Sequence, residues 1–350
     1  MQHAWDGYEK YAWGKNEVRP VSLRGHSASI FGSSSMGASI VDALDTLYIM
    51  GMTEEYRRGR QWVEENLDVN KMSGDISVFE TNIRYVGGLL SIYALTGDDL
   101  YREKALHVAQ KLTPAFKTPT GIPYALVNMR TGVRIHFRTN ANCVKAVYSQ
   151  LQKAFRQKWF LKPDIWWFLH GSTKANNNTF ILLSLQTAKN YGWASGGSSI
   201  LSEFGTLHME FAYLSDITGE PLFRNLVERV RTVIQESSKP NTLYPNYLNP
   251  KTGKWGQQHT SMGALGDSFY EYLLKEWLRS GKTDMVSKQM FDQAAIDVEN
   301  ELVKTSASGL TYFAEKKYGR LEHKMDHLAC FAGKKAGPSF FLVCTGRCCT

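Results

Sequence analysis

Acidic side chains recur at helical spacing along four apolar stretches of this chain. Asp42 and Asp45 stand three residues apart, Glu80 and Arg84 four, Asp267 and Glu271 four, and Glu203 and Glu210 seven. Each interval returns a side chain to one stripe of a helix with about 3.6 residues per turn. The surroundings are otherwise apolar, as in Val78-Phe79-Glu80-Thr81-Asn82-Ile83-Arg84-Tyr85-Val86-Gly87-Gly88-Leu89-Leu90. An unpartnered buried carboxylate is costly, so such groups require counter-charges, a metal or a wet cavity. A single pair fits a satisfied core acid or an exposed helix face. Four pairs on repeated helices point instead to acids converging on one axial pocket.

The elements that would hold them repeat. Each apolar helix runs into a turn with glycine and an acid, followed by an amphipathic helix. The turns are Gly51-Met52-Thr53-Glu54-Glu55, Gly97-Asp98-Asp99, Gly219-Glu220-Pro221 and Gly281-Lys282-Thr283-Asp284. Glycine suits the left-handed position after a helix, and the acid is placed to cap the next one. A repeated helical hairpin of this kind marks an array, here a ring of hairpins. Inner helices are expected near 35–50, 78–96, 198–217 and 261–280. Outer helices are expected near 54–66, 98–113, 220–236 and 284–304, with short strands near 124–127 and 309–313.

Composition narrows the class. A chain of 350 residues with 43% hydrophobic content can bury a large core, as one toroid or as two domains. The formal charge of +8 could suggest nucleic acid. However, the basic residues are spread over outer helices such as Tyr56-Arg57-Arg58-Gly59-Arg60 and form no binding tract, so no nucleic-acid partner is expected. There is no phosphate-binding loop, dinucleotide fingerprint or His-Glu-x-x-His zinc motif.

Several long motifs carry a resemblance. Val41-Asp42-Ala43-Leu44-Asp45-Thr46-Leu47-Tyr48-Ile49-Met50-Gly51, Phe79-Glu80-Thr81-Asn82-Ile83-Arg84 and Trp193-Ala194-Ser195-Gly196-Gly197-Ser198-Ser199-Ile200 are followed by Gly266-Asp267-Ser268-Phe269-Tyr270-Glu271-Tyr272-Leu273-Leu274-Lys275 and Met325-Asp326-His327-Leu328. In content and order they resemble the class I α-mannosidases of glycoside hydrolase family 47, over about residues 3–132 and 188–333. The resemblance implies an all-α fold, an (α/α)7 barrel, incomplete here because C-terminal hairpins are missing. It also implies a calcium-dependent, inverting hydrolase that removes α-1,2-linked mannose from high-mannose N-glycans.

Inverting hydrolysis uses one carboxylic acid to protonate the leaving oxygen and one carboxylate to activate water from the opposite face. By resemblance Glu80 is the acid-side catalytic carboxylate, with Arg84 beside it, and Asp267 is the second. Asp42, Asp45, Glu203, Glu210, Glu271 and His327 match substrate-pocket positions. Glu203, Glu210 and Glu271 also match the water shell of the calcium ion. Leu265 stands where endoplasmic-reticulum enzymes of the family tend to carry Arg and Golgi enzymes Leu, which points to the Golgi-like subgroup. The family's calcium-ligating Thr has no counterpart within this chain, so no residue here is assigned as a metal ligand. The alternative reading is a non-catalytic mannose-glycan-binding protein of glycoprotein quality control, which needs the pocket but not turnover.

The departures divide the chain into 1–132, an insert at 133–187, a barrel continuation at 188–333 and a non-family tail at 334–350. Val133-Arg134 and Gly333-Lys334-Lys335 can be encoded by splice-donor sequences, and Phe180 to Gln186 by a splice acceptor. A retained intron spanning 133–186 is therefore expected, the alternative being a genuine lineage-specific insert, and its removal joins Gly132 to Thr187 through a family-like loop. The missing C-terminal portion includes, by resemblance, a further catalytic carboxylate, so the chain as written is expected to be inactive. Of five cysteines, Cys143 lies in the insert and Cys344, Cys348 and Cys349 in the tail. Cys330 resembles half of a luminal disulfide. Asn177-Asn178-Thr179 is a glycosylation sequon inside the insert. No signal peptide or membrane span is read at the N terminus. Family members are type II proteins of the Golgi or endoplasmic reticulum, so Met1 is expected to open the luminal domain, with membrane attachment only through an absent N-terminal anchor.

Overall fold

The computed structural model describes residues 1–27, 30–32, 34–129 and 187–332, and the backbone of 132–138 and 178–184. The expected sequon, Cys143, the aromatic run Trp159 to Phe168 and the tail from 333 lie outside the fully described residues. The chain divides into two compact units, one formed by Met1–Met129 with Thr187–Thr350 and the other by Arg130–Gln186.

The larger unit is built from helical hairpins. After α1 (Gln2–Ala12), which the sequence pattern did not predict, come α2 (Ala38–Ile49) and α3 (Thr53–Asn66). Then α4 (Val78–Thr81) leads through a π turn at Asn82–Val86 into α5 (Gly87–Thr96), followed by α6 (Asp99–Leu112). After the break come α7 (Leu201–Phe204), α8 (His208–Thr218), α9 (Leu222–Glu236), α10 (Asp267–Arg279) and α11 (Met285–Glu301).

Packing sorts them into two layers. Helices α2, α5, α8 and α10 contact one another in that order, and each also packs on the helix that follows its own turn: α3, α6, α9 and α11. The apolar stripes explain the order. Ile40, Leu44, Leu47, Leu89, Ile92, Phe211, Leu214, Phe269 and Leu273 are completely enclosed between the layers. Large side chains of this kind stabilise by about 1.5–3 kcal/mol each on burial.

The four hairpin glycines, Gly51, Gly97, Gly219 and Gly281, all adopt φ between 65° and 70°. Only two of the four acids cap as expected. Asp98 accepts from the Leu100 amide and Asp284 from the Ser287 amide, at 3.1 and 3.0 Å. In the other two turns Met52 and Pro221 occupy the cap position without a side-chain cap. There Glu54 and Glu55 enter the first turn of α3, where the helix dipole favours them.

The inner helices depart from continuous expectation at two points. The stretch 198–217 is split: Glu203 lies on α7 and Glu210 on α8, so their seven-residue spacing is not one helical stripe. Gly205 sits at the break, and a Cβ there would fall 2.6 Å from both the Leu201 carbonyl oxygen and the Phe269 ring. The helix expected from 261 starts only at Asp267, because His259–Thr260 pair as a strand with Lys316–Lys317.

Short strands cover the ends of the hairpins. Asp75–Ser77 pairs with Leu126–Asn128, which pairs with Thr187–Lys189 in antiparallel register. Thr311–Phe313 pairs with Val303–Thr305. In the smaller unit, Gly132–Arg138 pairs antiparallel with Asn178–Ser184.

Candidate active site

Glu80, Glu203, Glu210 and Asp267 each lie in the first turn of an inner helix. Ser77 ends its strand and caps α4, its hydroxyl accepting the Glu80 amide at 3.2 Å. Arg84, one turn on, donates through Nε to Glu80 at 2.7 Å and through Nη1 to Asp42 on α2 at 3.0 Å. One guanidinium therefore ties two carboxylates from two inner helices, using its planar fork. Burial raises the Asp42 carboxyl above its ordinary range, partly offset by the Arg84 charge.

Glu203 stands at the start of α7 and interacts with the Glu80 charge. Burial, opposed by the Tyr191 hydroxyl and reinforced by Glu80, pushes its carboxyl up to about 7. Its Oε2 is buried without a hydrogen-bond partner. Glu203 therefore holds a proton near neutrality. A general acid requires that property.

Glu210 on α8 is gripped from two sides. Asn82, fully buried in the π turn, donates to its Oε2 at 2.9 Å, and the Tyr272 hydroxyl donates to Oε1 at 2.6 Å. Burial raises its carboxyl too. Asp267 opens α10 and accepts from the Ser268 amide at 2.7 Å. Its carboxyl is raised by burial, and the charges of Glu271 and Asp326 add to the shift. The start of α10 is fastened to α7: Ser202 donates through its hydroxyl to the Ala264 carbonyl at 2.9 Å, and the Thr206 and Ser268 hydroxyls lie 2.9 Å apart.

The remaining positions are placed less uniformly. Asp45 accepts from the Ser91 hydroxyl at 2.7 Å, joining α2 to α5. Glu271 pairs with Lys275 one turn along. Leu265 is partly buried and, like Tyr191, packs against Ala194, Ile200 and Tyr247. His327 is exposed, its Nδ1 3.3 Å from Asp326. Cys330 lies in the short helical turn His327–Ala332.

Residues that the sequence reading did not single out complete the arrangement. Asn82 was legible as a polar residue inside an apolar helix run. Tyr272 follows Glu271 directly, and Tyr191 lies in a turn whose sequence gave no sign that its hydroxyl faces Ser77 and Glu203. A separate cleft of about 570 Å³ lies beside the end of α9, lined by Arg229, Glu236, Lys254 and Trp255, and holds none of these acids.

Among the described residues, no three His, Cys, Asp or Glu side chains come close enough together to hold a metal ion. The described acids do not by themselves form a calcium cage.

The sequence pattern of Glycosyl hydrolase family 47 matches residues 1–156 and 172–337. It reaches into both ends of 133–186 and leaves 157–171 and 338–350 unmatched. The chain is similar to mannosyl-oligosaccharide alpha-1,2-mannosidase IA of Drosophila melanogaster, with 56% identity over 95% of this chain and 42% of that protein. It is 49% identical to human mannosyl-oligosaccharide 1,2-alpha-mannosidase IB over 95% of this chain and 43% of that one. It therefore spans less than half the length of the curated relatives it matches. Among solved structures, alpha-1,2-mannosidase from Trichoderma reesei superimposes with a TM-score of 0.72 at 23% identity, covering 95% of this chain and 60% of the other. That likeness concerns the fold, the (α/α)7 barrel.

Proposed function

The chain belongs to glycosyl hydrolase family 47, and we propose that it supplies the acid-lined sugar pocket of a mannosyl-oligosaccharide 1,2-alpha-mannosidase. In this reading the protein trims α-1,2-linked mannose from high-mannose N-glycans in the secretory pathway, inverting the anomeric centre. The observation that carries the reading is the Asp42–Arg84–Glu80 bridge set against the raised Glu203 carboxyl. Protonation of a glycosidic oxygen needs a carboxyl that keeps its proton near neutrality, and Glu203 is raised into that range.

Glu80 and Asp267 are the catalytic pair in this proposal. Arg84 orients Glu80, Glu203 carries a proton, and Glu210 with Asn82 and Tyr272 shapes the pocket floor. Asp42, Asp45, Glu271, Leu265 and His327 complete the substrate-binding set. Calcium, when bound, would hold sugar hydroxyls. The described residues do not converge on a cage for it, so their proposed roles are confined to binding, orientation and proton handling. Leu265 supports a Golgi-like rather than endoplasmic-reticulum preference among glycan branches. No described helix is long and apolar enough to cross a membrane.

The test is mannose release from a high-mannose glycan in calcium, alongside binding of the same glycan. The polypeptide 1–350 lacks, by resemblance, one carboxylate of the family, a loss worth about 10²–10⁴-fold in rate. By itself it should bind and release no measurable mannose. Joined to the C-terminal third of a relative and freed of 133–186, it should trim α-1,2-linked mannose and stop after Glu80→Gln. Binding without release in that chimera would favour the non-catalytic glycan-binding alternative, and failure of both would refute the pocket.

A further inference from the structure

The cleft beside the end of α9 is assembled from three segments remote in sequence. The turn at Thr120, the last turns of α9 with the two serines after it, and the turn from Thr252 to Gly256 each contribute a wall. Side-chain donors lace these walls to backbone carbonyls. Thr120 donates its hydroxyl to the Pro250 carbonyl at 2.7 Å, and Ser237 donates to the Gly253 carbonyl at 3.0 Å. The Trp255 indole donates to the Ser237 carbonyl at 3.2 Å. An opening of about 570 Å³ held in this way falls within the size range of small-ligand sites.

The Arg229 guanidinium is the fixed charge of this cleft. Its Nε donates to the Thr120 carbonyl at 3.1 Å, which sets the plane of the fork. Gly121 makes that reach possible: its φ is 92°, and a Cβ there would fall 2.8 Å from Arg229 Cγ. Among the described residues the fork makes no other hydrogen bond. Its ion-pair partner there is Glu236, 3.9 Å from Nη1, and the two side chains are 53% and 67% exposed. A pair this long and this wet is worth little. Lys254 adds a second cation to the lining. Trp255, held edge-on against Tyr244 and only partly buried, adds an apolar wall.

We propose that this cleft binds a carboxylate-bearing ligand at a site separate from the candidate active site. The free edge of the Arg229 fork donates two parallel N–H bonds to the two oxygens of one planar carboxylate. Lys254 supplies the second positive charge, and Trp255 packs on the body of the ligand. A fork already oriented by Thr120 loses little freedom when it binds. The incoming carboxylate displaces Glu236, the weak occupant of the same edge. Two sources carry this chemistry, an acidic side chain of a polypeptide and an acidic sugar. The site uses none of the acids on the inner helices and stands independently of the hydrolase reading.

The experiment is calorimetric titration of the full chain 1–350 with N-acetylglutamate α-amide and, separately, with glucuronate. N-acetylglutamine amide and glucose are the uncharged controls. One acid or both should bind with a dissociation constant of about 1 mM or tighter, and the acid that binds identifies the source. The matching uncharged control should bind at least about tenfold more weakly. Arg229→Gln should weaken acid binding at least about tenfold, and Arg229→Lys should recover only part of it. Glu236→Gln removes the competing carboxylate and should tighten binding by about two- to threefold. Both positions are more than half exposed, so each variant should melt within about 1 °C of the parent. Binding of neither acid by the unaltered chain, or binding undiminished by Arg229→Gln, would overturn the site. High-mannose glycan binding should be the same in every variant, and its loss in Arg229→Gln would overturn the separation of this cleft from the acids.

Discussion

Asn128 and Thr187 face each other as Cα partners across two antiparallel strands, although 58 residues separate them in sequence. The strands on either side of the intervening stretch pair as neighbours in a hairpin would. Gly132 joined to Thr187 would leave Met129–Gly132 as a four-residue loop, a common hairpin length. The same stretch forms a compact unit of its own. Deleting 133–186 should therefore preserve cooperative unfolding and leave the melting temperature equal or higher. Loss of a cooperative transition would show that the insert is integral to the fold.

The Arg84 bridge yields a second prediction. Arg84→Met leaves Glu80 and Asp42 facing each other across α4 and α2 without the charge between them. Glycan binding by the chain should fall at least tenfold. The side chain is 40% exposed, so the loss of stability should stay within about 1 kcal/mol. Arg84→Lys should recover little, because a single ammonium cannot reproduce the fork. Titration of the glycan and urea unfolding, measured on the same samples, separate the two effects.

Glu203 should make stability fall with rising pH. Its folded carboxyl is raised to about 7 from an ordinary 4.5, so the folded state holds the proton more tightly. Between those values the native protein binds more protons than the unfolded chain, and each increase in pH costs stability until the group has ionised. The cost is absent below about pH 4.5 and complete above about pH 7. Glu203→Gln removes it and should raise the melting temperature at pH 8 by about 1–2 °C, as about 1 kcal/mol does in a domain of this size. Little change is expected at pH 4. Equal gains at both pH values would show that the group's ionisation is not responsible.

Gly205 gives a test of the break between α7 and α8. Gly205→Ala drives a Cβ into the Leu201 carbonyl and the Phe269 ring, where neither neighbour is the free end of a flexible chain. The expected loss is about 2–3 kcal/mol by urea unfolding. Gly192→Ala, which meets nothing within 4 Å, is the matched control and should be within about 0.5 kcal/mol of the parent.

The hairpins were legible because their signals are local. Each glycine at a helix end and each apolar stripe is readable from adjacent residues, and the helices fall within a few residues of expectation. What was not legible depends on partners remote in sequence. The break at Gly205 exists because Phe269 from another helix needs the space. The late start of α10 follows from a strand contact with Lys316 and Lys317. The acids stood out as charges in apolar runs. Tyr191 did not, because its position beside Glu203 comes from a loop fixed by Asn190 and Ala125, and no residue spacing encodes that.

The π turn at Asn82–Val86 has one further consequence. An additional residue within a helical turn rotates everything downstream by about 100°. The stripe that aims Glu80 and the stripe that packs α5 against α2 therefore need not share a phase. Removing one residue from this turn would force a choice between them: a protein with an intact core and a misdirected carboxylate, or the reverse. The turn works as a phase shifter, freeing the direction of Glu80 from the face on which α5 packs.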